Sequence, residues 1–350
     1  MLRFLFWLLL SLPAAGYAQR TIPRLLDAEY KAGHFNGTVL VAQEGKVVSR
    51  VSKGLANLQF AVPISPTTRF PIASMSKTFT AILVLQLCQN GQLRLADKAA
   101  TYLPELPANC QHITVAELLT HYSGLKNEPL EAYKAAYSPA EYVARFAALR
   151  ETGKPAGFNY NNVDYVVLTR ILEVITKKPF AQLLHDNILG PLRMTNSGVV
   201  QAARVIPQLA YGYHNYTFGA GTANDTLQND LLVHMANYAG AGAIYSTTDD
   251  LLKLVLGLRH HTLLSAAGMA ALLRPQQPAF LDYARGYPTM GFYYNDKTFP
   301  QPVLERRGSI NGFNSVLLTD PDFRRVVILL TNTDTADLEV LADQVYRLPR

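Results

Sequence analysis

The chain has 350 residues, of which 49% are apolar and only 17% charged, and it carries a formal net charge of +6. This excludes a disordered chain and leaves one large domain, or two closely joined lobes, around a sizeable core. The 32 lysines and arginines are scattered rather than run together, so the charge reads as a solvated surface and no nucleic-acid partner is expected.

Residues 1–18 read as a secretory leader. Arg3 is a short positive start, Phe4 to Leu12 an apolar core, and Gly16-Tyr17-Ala18 a small-x-small cleavage site. The apolar run is well short of the roughly 20 residues of a membrane-spanning helix, and no cysteine follows it for a lipoprotein anchor. The expectation is export to a periplasm or the outside, with cleavage after Ala18 and no stable membrane anchor afterwards. Residues 22–33 then predict an amphipathic helix stopped by Gly33. Asn36–Ala42 and Lys46–Gly54 predict a hairpin around Glu44-Gly45.

Arg69 to Asn90 is the stretch on which the chemistry turns. It carries Ser74 and Lys77, a Ser-x-x-Lys tetrad, followed by an apolar helix from Phe79 to Leu87 that stops at Asn90-Gly91. Residues three apart share a helix face, so the Lys77 ammonium can fold back onto the Ser74 hydroxyl. A serine is a poor nucleophile until a base takes its proton, and a buried lysine with a lowered pKa can do so. The positive end of the helix would favour an oxyanion there. The bland reading of Ser74 is a helix cap or a small packing residue. Ser123-Gly124-Leu125-Lys126 also fits the tetrad, in what reads as a loop.

From Asp97 to about Tyr238 the pattern is mostly helical. Helices are predicted over Val115–His121, Pro139–Leu149, Asn162–Thr176 and Phe180–Ile188, punctuated at Pro104, Pro107, Gly153, Pro155, Gly190 and Pro191. Tyr160-Asn161-Asn162 lies in the turn into the third of them. A tyrosinate is a strong base if cations hold its pKa down, and the Asn162 carboxamide can orient a lysine or a substrate amide. The competing reading is aromatic packing with a helix cap at Asn161 or Asn162; Tyr-x-Asn recurs at 213–215 and 293–295.

Strand signals return at Pro302–Arg306, Ser315–Thr319 and Arg325–Thr331, the last two flanking Asp320-Pro321-Asp322-Phe323, before a closing helix over Ala336–Leu348. Between them lies Arg306-Arg307-Gly308-Ser309. A glycine on a strand edge lets the backbone approach a substrate, and the Ser309 N–H could join that of Ser74 as an oxyanion donor. The bland alternative is an ordinary hairpin with two solvated arginines. Cys88 and Cys110 could bridge in an oxidising compartment, although Cys88 also suits a buried free thiol. Two cysteines, scattered histidines and no His-Glu-x-x-His disfavour a metal site, and no cofactor is called for.

Strand-rich ends around a helical middle predict an α+β, two-lobe fold. Both ends of the chain would build one antiparallel sheet (about 19–90 and 238–350) flanked by the terminal helices, with an all-helical lobe (about 91–237) inserted. A cleft between such lobes is a usual place for a ligand.

Ser74–Lys77, Tyr160–Asn162 and Arg306–Ser309, in this order, resemble the serine beta-lactamase and penicillin-binding-protein superfamily, in its class C and esterase-like branch. Phe70–Thr80 resembles that branch's F-x-I-A-S-x-S-K-T-F-T. Leu118–Leu125 resembles its L-L-T-H-T-S-G-L, and Gly240–Thr247 its G-G-L-x-S-T before a helix. The likeness spans roughly Leu25 to Thr331. It implies a beta-lactamase/transpeptidase-like fold, with Ser74 as acyl-accepting nucleophile and Lys77 and Tyr160 sharing the base work. Asn162 would hold Lys77 or a substrate amide, and the Ser74 and Ser309 N–H groups would form the oxyanion hole. It also implies that Leu118–Leu125, with the decoy Ser123 and Lys126, is structural, and that Gly240–Thr247 is a loop and helix cap near the cleft.

The third motif usually reads Lys-Thr-Gly or His-x-Gly. Here Arg306 takes the cationic position, where it could lower the Tyr160 pKa or bind a substrate carboxylate, and Arg307 replaces a small residue. Turned inward, Arg307 narrows the cleft; on the other strand face it is harmless. The resulting expectation is an exported serine hydrolase forming an acyl-enzyme on Ser74 and cleaving a small ester, amide or peptide end. The alternatives are a beta-lactamase and a binding scaffold of the same fold with an impaired site.

Overall fold

Two hairpin patterns at opposite ends of the sequence meet in one sheet. A computed structural model describes residues 21–149, 157–201, 204–216, 226–230, 234–276, 280–281 and 285–348. The predicted leader, with Gly153 and Pro155, lies outside them. The main sheet consists of β1 (Gly37–Gln43), β2 (Lys46–Lys53), β3 (Tyr287–Pro288), β4 (Tyr293–Asn295), β5 (Val303–Ile310), β6 (Phe313–Thr319) and β7 (Arg325–Thr331). Its order is β3-β4-β5-β6-β7-β1-β2, and every neighbouring pair is antiparallel. The ends of the chain join where β1 pairs with β7, from Gly37 opposite Thr331 to Gln43 opposite Arg325.

The alternation of these strands sorts the core into two layers. Val39, Val41, Val303, Val316, Leu318, Val327 and Leu329 face one side. There they bury the apolar stripes of α1 (Ile22–Lys31), through Leu26, and of the C-terminal helix, through Leu338, Leu341 and Val345. Leu40, Ala42, Leu304, Leu317, Ile328 and Leu330 face the other side and merge with the core of the helical lobe. At the centre of that second core is α2 (Ser76–Gln89). It is buried nearly all round, which is why its sequence is apolar without a polar face.

The helical segment contributes α3 (Val115–Thr120), α4 (Pro139–Phe146), α5 (Val163–Thr176) and α6 (Phe180–Leu184). Capping boxes at Thr114–Glu117 and Ser138–Glu141 start α3 and α4. Three predicted ends shift. α4 stops at Phe146 rather than Leu149; α6 gives way to a π-helical turn over His185–Leu189; and the last helix starts only after Asp337, whose carboxylate caps it. Beyond the helical segment come α7 (Thr248–Arg259), α8 (Ala266–Leu273) and α9 (Leu338–Arg347). Neither α8 nor the short β3 and β4 was expected: the strands are too brief to display alternation. Cys88 and Cys110 are both free thiols, and burial pushes the Cys88 thiol up to about 11. No helix among the described residues is long and apolar enough to cross a membrane.

Candidate active site

Ser74 lies in a 3-10 turn, Ala73–Met75, that runs into α2. Ala73 there has φ +46°, a left-handed conformation that costs a non-glycine residue about 1–2 kcal/mol. The turn is pinned from both sides. Ile72 N–H donates to the Ile244 carbonyl at 2.9 Å, and Ser315 Oγ donates to the Ile72 carbonyl at 2.9 Å. Gly308 of β5 lies directly against it. A Cβ on Gly308 would fall 2.2 Å from the Ile72 oxygen and 2.7 Å from the Ser74 nitrogen, so only glycine allows the strand this close.

Lys77, the second residue of α2, is fully buried. Its Nζ donates to Ser74 Oγ at 3.2 Å, to Asn162 Oδ1 at 2.7 Å and to the Ala241 carbonyl at 2.9 Å, which uses all three ammonium donors. Burial lowers its pKa and Arg306 adds to that, while Tyr160 and Glu128 oppose it. The two asparagines divide their work. Asn161 Oδ1 accepts from the Asp164 N–H at 2.8 Å and starts α5, whereas Asn162 makes no cap and is left for Lys77.

The Tyr160 ring lies 4.9 Å from Lys77 Nζ, and Arg306 Nη2 reaches its hydroxyl at 3.4 Å. Burial alone would raise this phenol. The Lys77 and Arg306 charges, together with hydrogen bonding to Lys77 and Ser74, outweigh that and bring it down to about 8. Arg306 also grips the Ser74 carbonyl through Nε at 3.0 Å and Nη2 at 2.6 Å. It therefore reaches both the Ser74 turn and the Tyr160 hydroxyl.

Arg307 points the other way. The pleat puts it with Glu305 on the α9 face, where it pairs with Glu305 Oε1 at 2.7 Å and with Glu339 of α9. It still borders the outer part of a cavity of about 530 Å³ that runs from Ser74, Tyr160 and Arg306 past Ser309 to Asp337 and Glu339. The two-residue turn Asn311-Gly312 makes Ile310 and Phe313 the closing hydrogen-bonded pair of the β5–β6 hairpin. Ser309 and Asn314 are then a non-hydrogen-bonded pair, which turns the Ser309 N–H outward, toward the cleft edge where β4 no longer covers β5.

The decoy tetrad does different work. Ser123 Oγ donates to the buried Asp164 carboxylate at 2.5 Å and accepts from the Leu125 N–H, while Lys126 is exposed. His121 Nδ1 meets the same carboxylate at 2.9 Å, its ring lies against Tyr160, and burial with the Lys77 and Arg306 charges holds its pKa well below the usual imidazole range. Gly240–Thr247 supplies the Ala241 carbonyl to Lys77, and Thr247 caps α7. Sequence reasoning missed two contributors. The Ala241 carbonyl is backbone and has no side-chain signature. Glu128, whose Oε1 accepts from Asn162 Nδ2 at 2.7 Å, stands in a loop outside every motif.

An antiparallel sheet built from both chain ends, an inserted helical lobe and a Ser-x-x-Lys turn between them define the serine beta-lactamase and penicillin-binding-protein superfamily. The chain belongs to the Beta-lactamase family, whose model matches residues 22–348. It is 27% identical over 315 residues to the Bacillus subtilis (strain 168) protein called penicillin-binding protein PbpX, spanning 90% of this chain and 75% of that one. Its fold is shared by the D-amino acid amidase of Ochrobactrum anthropi SV3, at a TM-score of 0.80 and 23% identity over 93% and 96% of the two chains. It is shared too by EstCE1, a hydrolase with promiscuous acyltransferase activity, at a TM-score of 0.75 and 20% identity over 92% and 96%.

Proposed function

We propose that this chain is an exported serine hydrolase that forms an acyl-enzyme on Ser74 and cleaves a small ester, an amide or a peptide end. The observation that carries this reading is the buried Lys77 ammonium, held at once by Ser74 Oγ and Asn162 Oδ1 beside a tyrosine whose pKa is lowered. Ser74 Oγ attacks the substrate carbonyl, and its proton passes to the Lys77–Tyr160 pair, which share it. The oxyanion forms between the Ser74 and Ser309 N–H groups. The pair then returns the proton to the leaving group, and water activated near Tyr160 releases the acyl group. The names of two neighbours of this fold, an amidase and a hydrolase with acyltransferase activity, support an amide or another acyl-group donor as substrate.

The test is parallel turnover of a short-chain nitrophenyl ester and a chromogenic cephalosporin by residues 19–350, each against Ser74→Ala. Ester cleavage should fall by at least about 10³-fold in the variant, with little cephalosporin cleavage in either. Fast cephalosporin turnover would make the protein a beta-lactamase. Ester cleavage that survives Ser74→Ala sinks the nucleophile assignment, and no cleavage by a folded protein supports a binding scaffold.

A further inference from the structure

Ser309 stands where its own sheet supports it least. β4 pairs with β5 only at Val303, Leu304 and Glu305, and β7 pairs with β6 only from Asn314 onward. Ile310 to Phe313 therefore project past both neighbouring strands, with the exposed Ser309 at their base. A two-stranded end of this kind is marginal by itself in water. An oxyanion donor, by contrast, has to be held within about 0.5 Å of its working position. The support for this turn has to come from outside the sheet.

It comes from Tyr213–His214, which pairs antiparallel with Gln228–Asn229. This short pair is tied to the body of the protein just past β7, where the Tyr213 N–H donates to the Asn332 carbonyl at 2.9 Å. A Cβ on Gly312 would fall 2.0 Å from the Tyr213 oxygen, so the β5–β6 turn lies flush on that backbone. Gly312 is buried there, and its N–H needs an acceptor. Asp230, the residue after Asn229, supplies it: Oδ1 accepts from the Gly312 N–H at 2.9 Å. Asp230 is itself fixed in place. Its N–H donates to the Gly212 carbonyl at 3.0 Å, and its Oδ2 lies 1.9 Å from where a Cβ on Gly212 would stand. Burial raises this carboxyl to about 6, against the pull of the Gly312 hydrogen bond and of His214, and Asp334 adds to the rise. At pH 8 it is therefore ionised, and a charged acceptor makes the stronger hydrogen bond.

We propose that Asp230 is a positioning residue for the oxyanion hole: by holding Gly312 it fixes the β5–β6 turn and, with it, the Ser309 N–H beside the carbonyl that Ser74 attacks. This deepens the serine hydrolase reading and rests on it. At pH 8, Asp230→Ala should lower kcat for a short-chain nitrophenyl ester by at least about tenfold and leave KM within about threefold, because the oxyanion exists only beyond the ground state. Asp230→Asn keeps an oxygen facing Gly312 and should stay within about threefold of wild type. Phenylboronic acid gives a second readout. It adds the Ser74 oxygen to boron and places a boron-bound oxygen in the same hole. Its inhibition constant should rise by at least about tenfold in Asp230→Ala and stay near the wild-type value in Asp230→Asn. A merely structural loss would reduce the active fraction and leave that constant unmoved. That result overturns the assignment, as does an unchanged kcat or an Asp230→Asn enzyme as slow as Asp230→Ala. If Asp230→Ala does not fold, Asp230→Glu shifts the acceptor by one methylene, and its kcat and inhibition constant are read in the same way. Failure of the hydrolase reading looks different: ester cleavage indifferent to Ser74→Ala.

Discussion

Arg306 and Arg307 are consecutive arginines on one strand, yet they belong to two different regions of the molecule. Arg306 is buried against Ser74 and Tyr160, where its charge acts on the pKa of the tyrosine. Arg307 sits on the opposite face in an ion network with Glu305, Glu339, Arg285 and Asp343, between the sheet and α9. The same side chain thus lies against Ser74 and Tyr160 on one face and ties down a helix on the other. The difference is set by the two-residue period of the strand. A glycine two places after Arg306, and not after Arg307, lets the Ser74 turn approach that first face.

The division can be tested residue by residue. Arg306→Gln should lower kcat/KM by about 10²-fold, since it removes a preorganised charge at the reacting groups. It should also move the pH profile. The wild-type kcat/KM should rise with pH and level off above about 8, as the Lys77–Tyr160 pair loses its proton. Loss of the Arg306 cation removes stabilisation of the tyrosinate, so the rise moves to higher pH. An unmoved profile would remove Arg306 from the catalytic face.

Arg307→Ala should instead show in stability. It leaves Glu305 buried without its partner, at a cost of about 2–4 kcal/mol in urea unfolding, with kcat/KM within about tenfold of wild type. A rate loss matching that of Arg306→Gln would erase the distinction between the faces.

The mildest variant on the α9 face is Glu305→Gln. Burial raises this carboxyl to about 6 from its usual 4.5, against the pull of Arg307 and Arg285. The folded chain therefore takes up a proton before the unfolded chain does. The contribution of this group to stability improves as pH falls from about 6 to 4.5, and above 6 its charged form carries the full penalty. The variant should flatten that part of the stability–pH curve by about 1 kcal/mol. A curve of unchanged slope would show that Glu305 does not titrate there. On the helical side, Ser123→Ala should cost about 1–3 kcal/mol, because the buried Asp164 loses one of its donors.

Much of this was legible in the residues. Alternation outlined the two hairpins, and β7 begins and ends at the predicted Arg325 and Thr331. The three-residue spacing of Ser74 and Lys77 implied their contact, because a helical turn is local geometry. The turn before α5 offered Tyr160 and Asn162, but left open which asparagine capped the helix. Competition for one backbone N–H decided that, and Asn161 took it. Glu128 was invisible because nothing in its own neighbourhood marks it. It matters only once Asn162 and Tyr133 have been folded onto it.

The sequence by itself determined the local periods: which segments are the long strands, which is the fully buried helix, and which serine and lysine share one helical face. Only the tertiary structure decided which arginine faces Ser74 and which carboxylates its neighbour is paired with. Periodicity is a property of consecutive residues. The partners of a charged side chain here lie on strands and loops far apart in the chain, and register and packing alone bring them together.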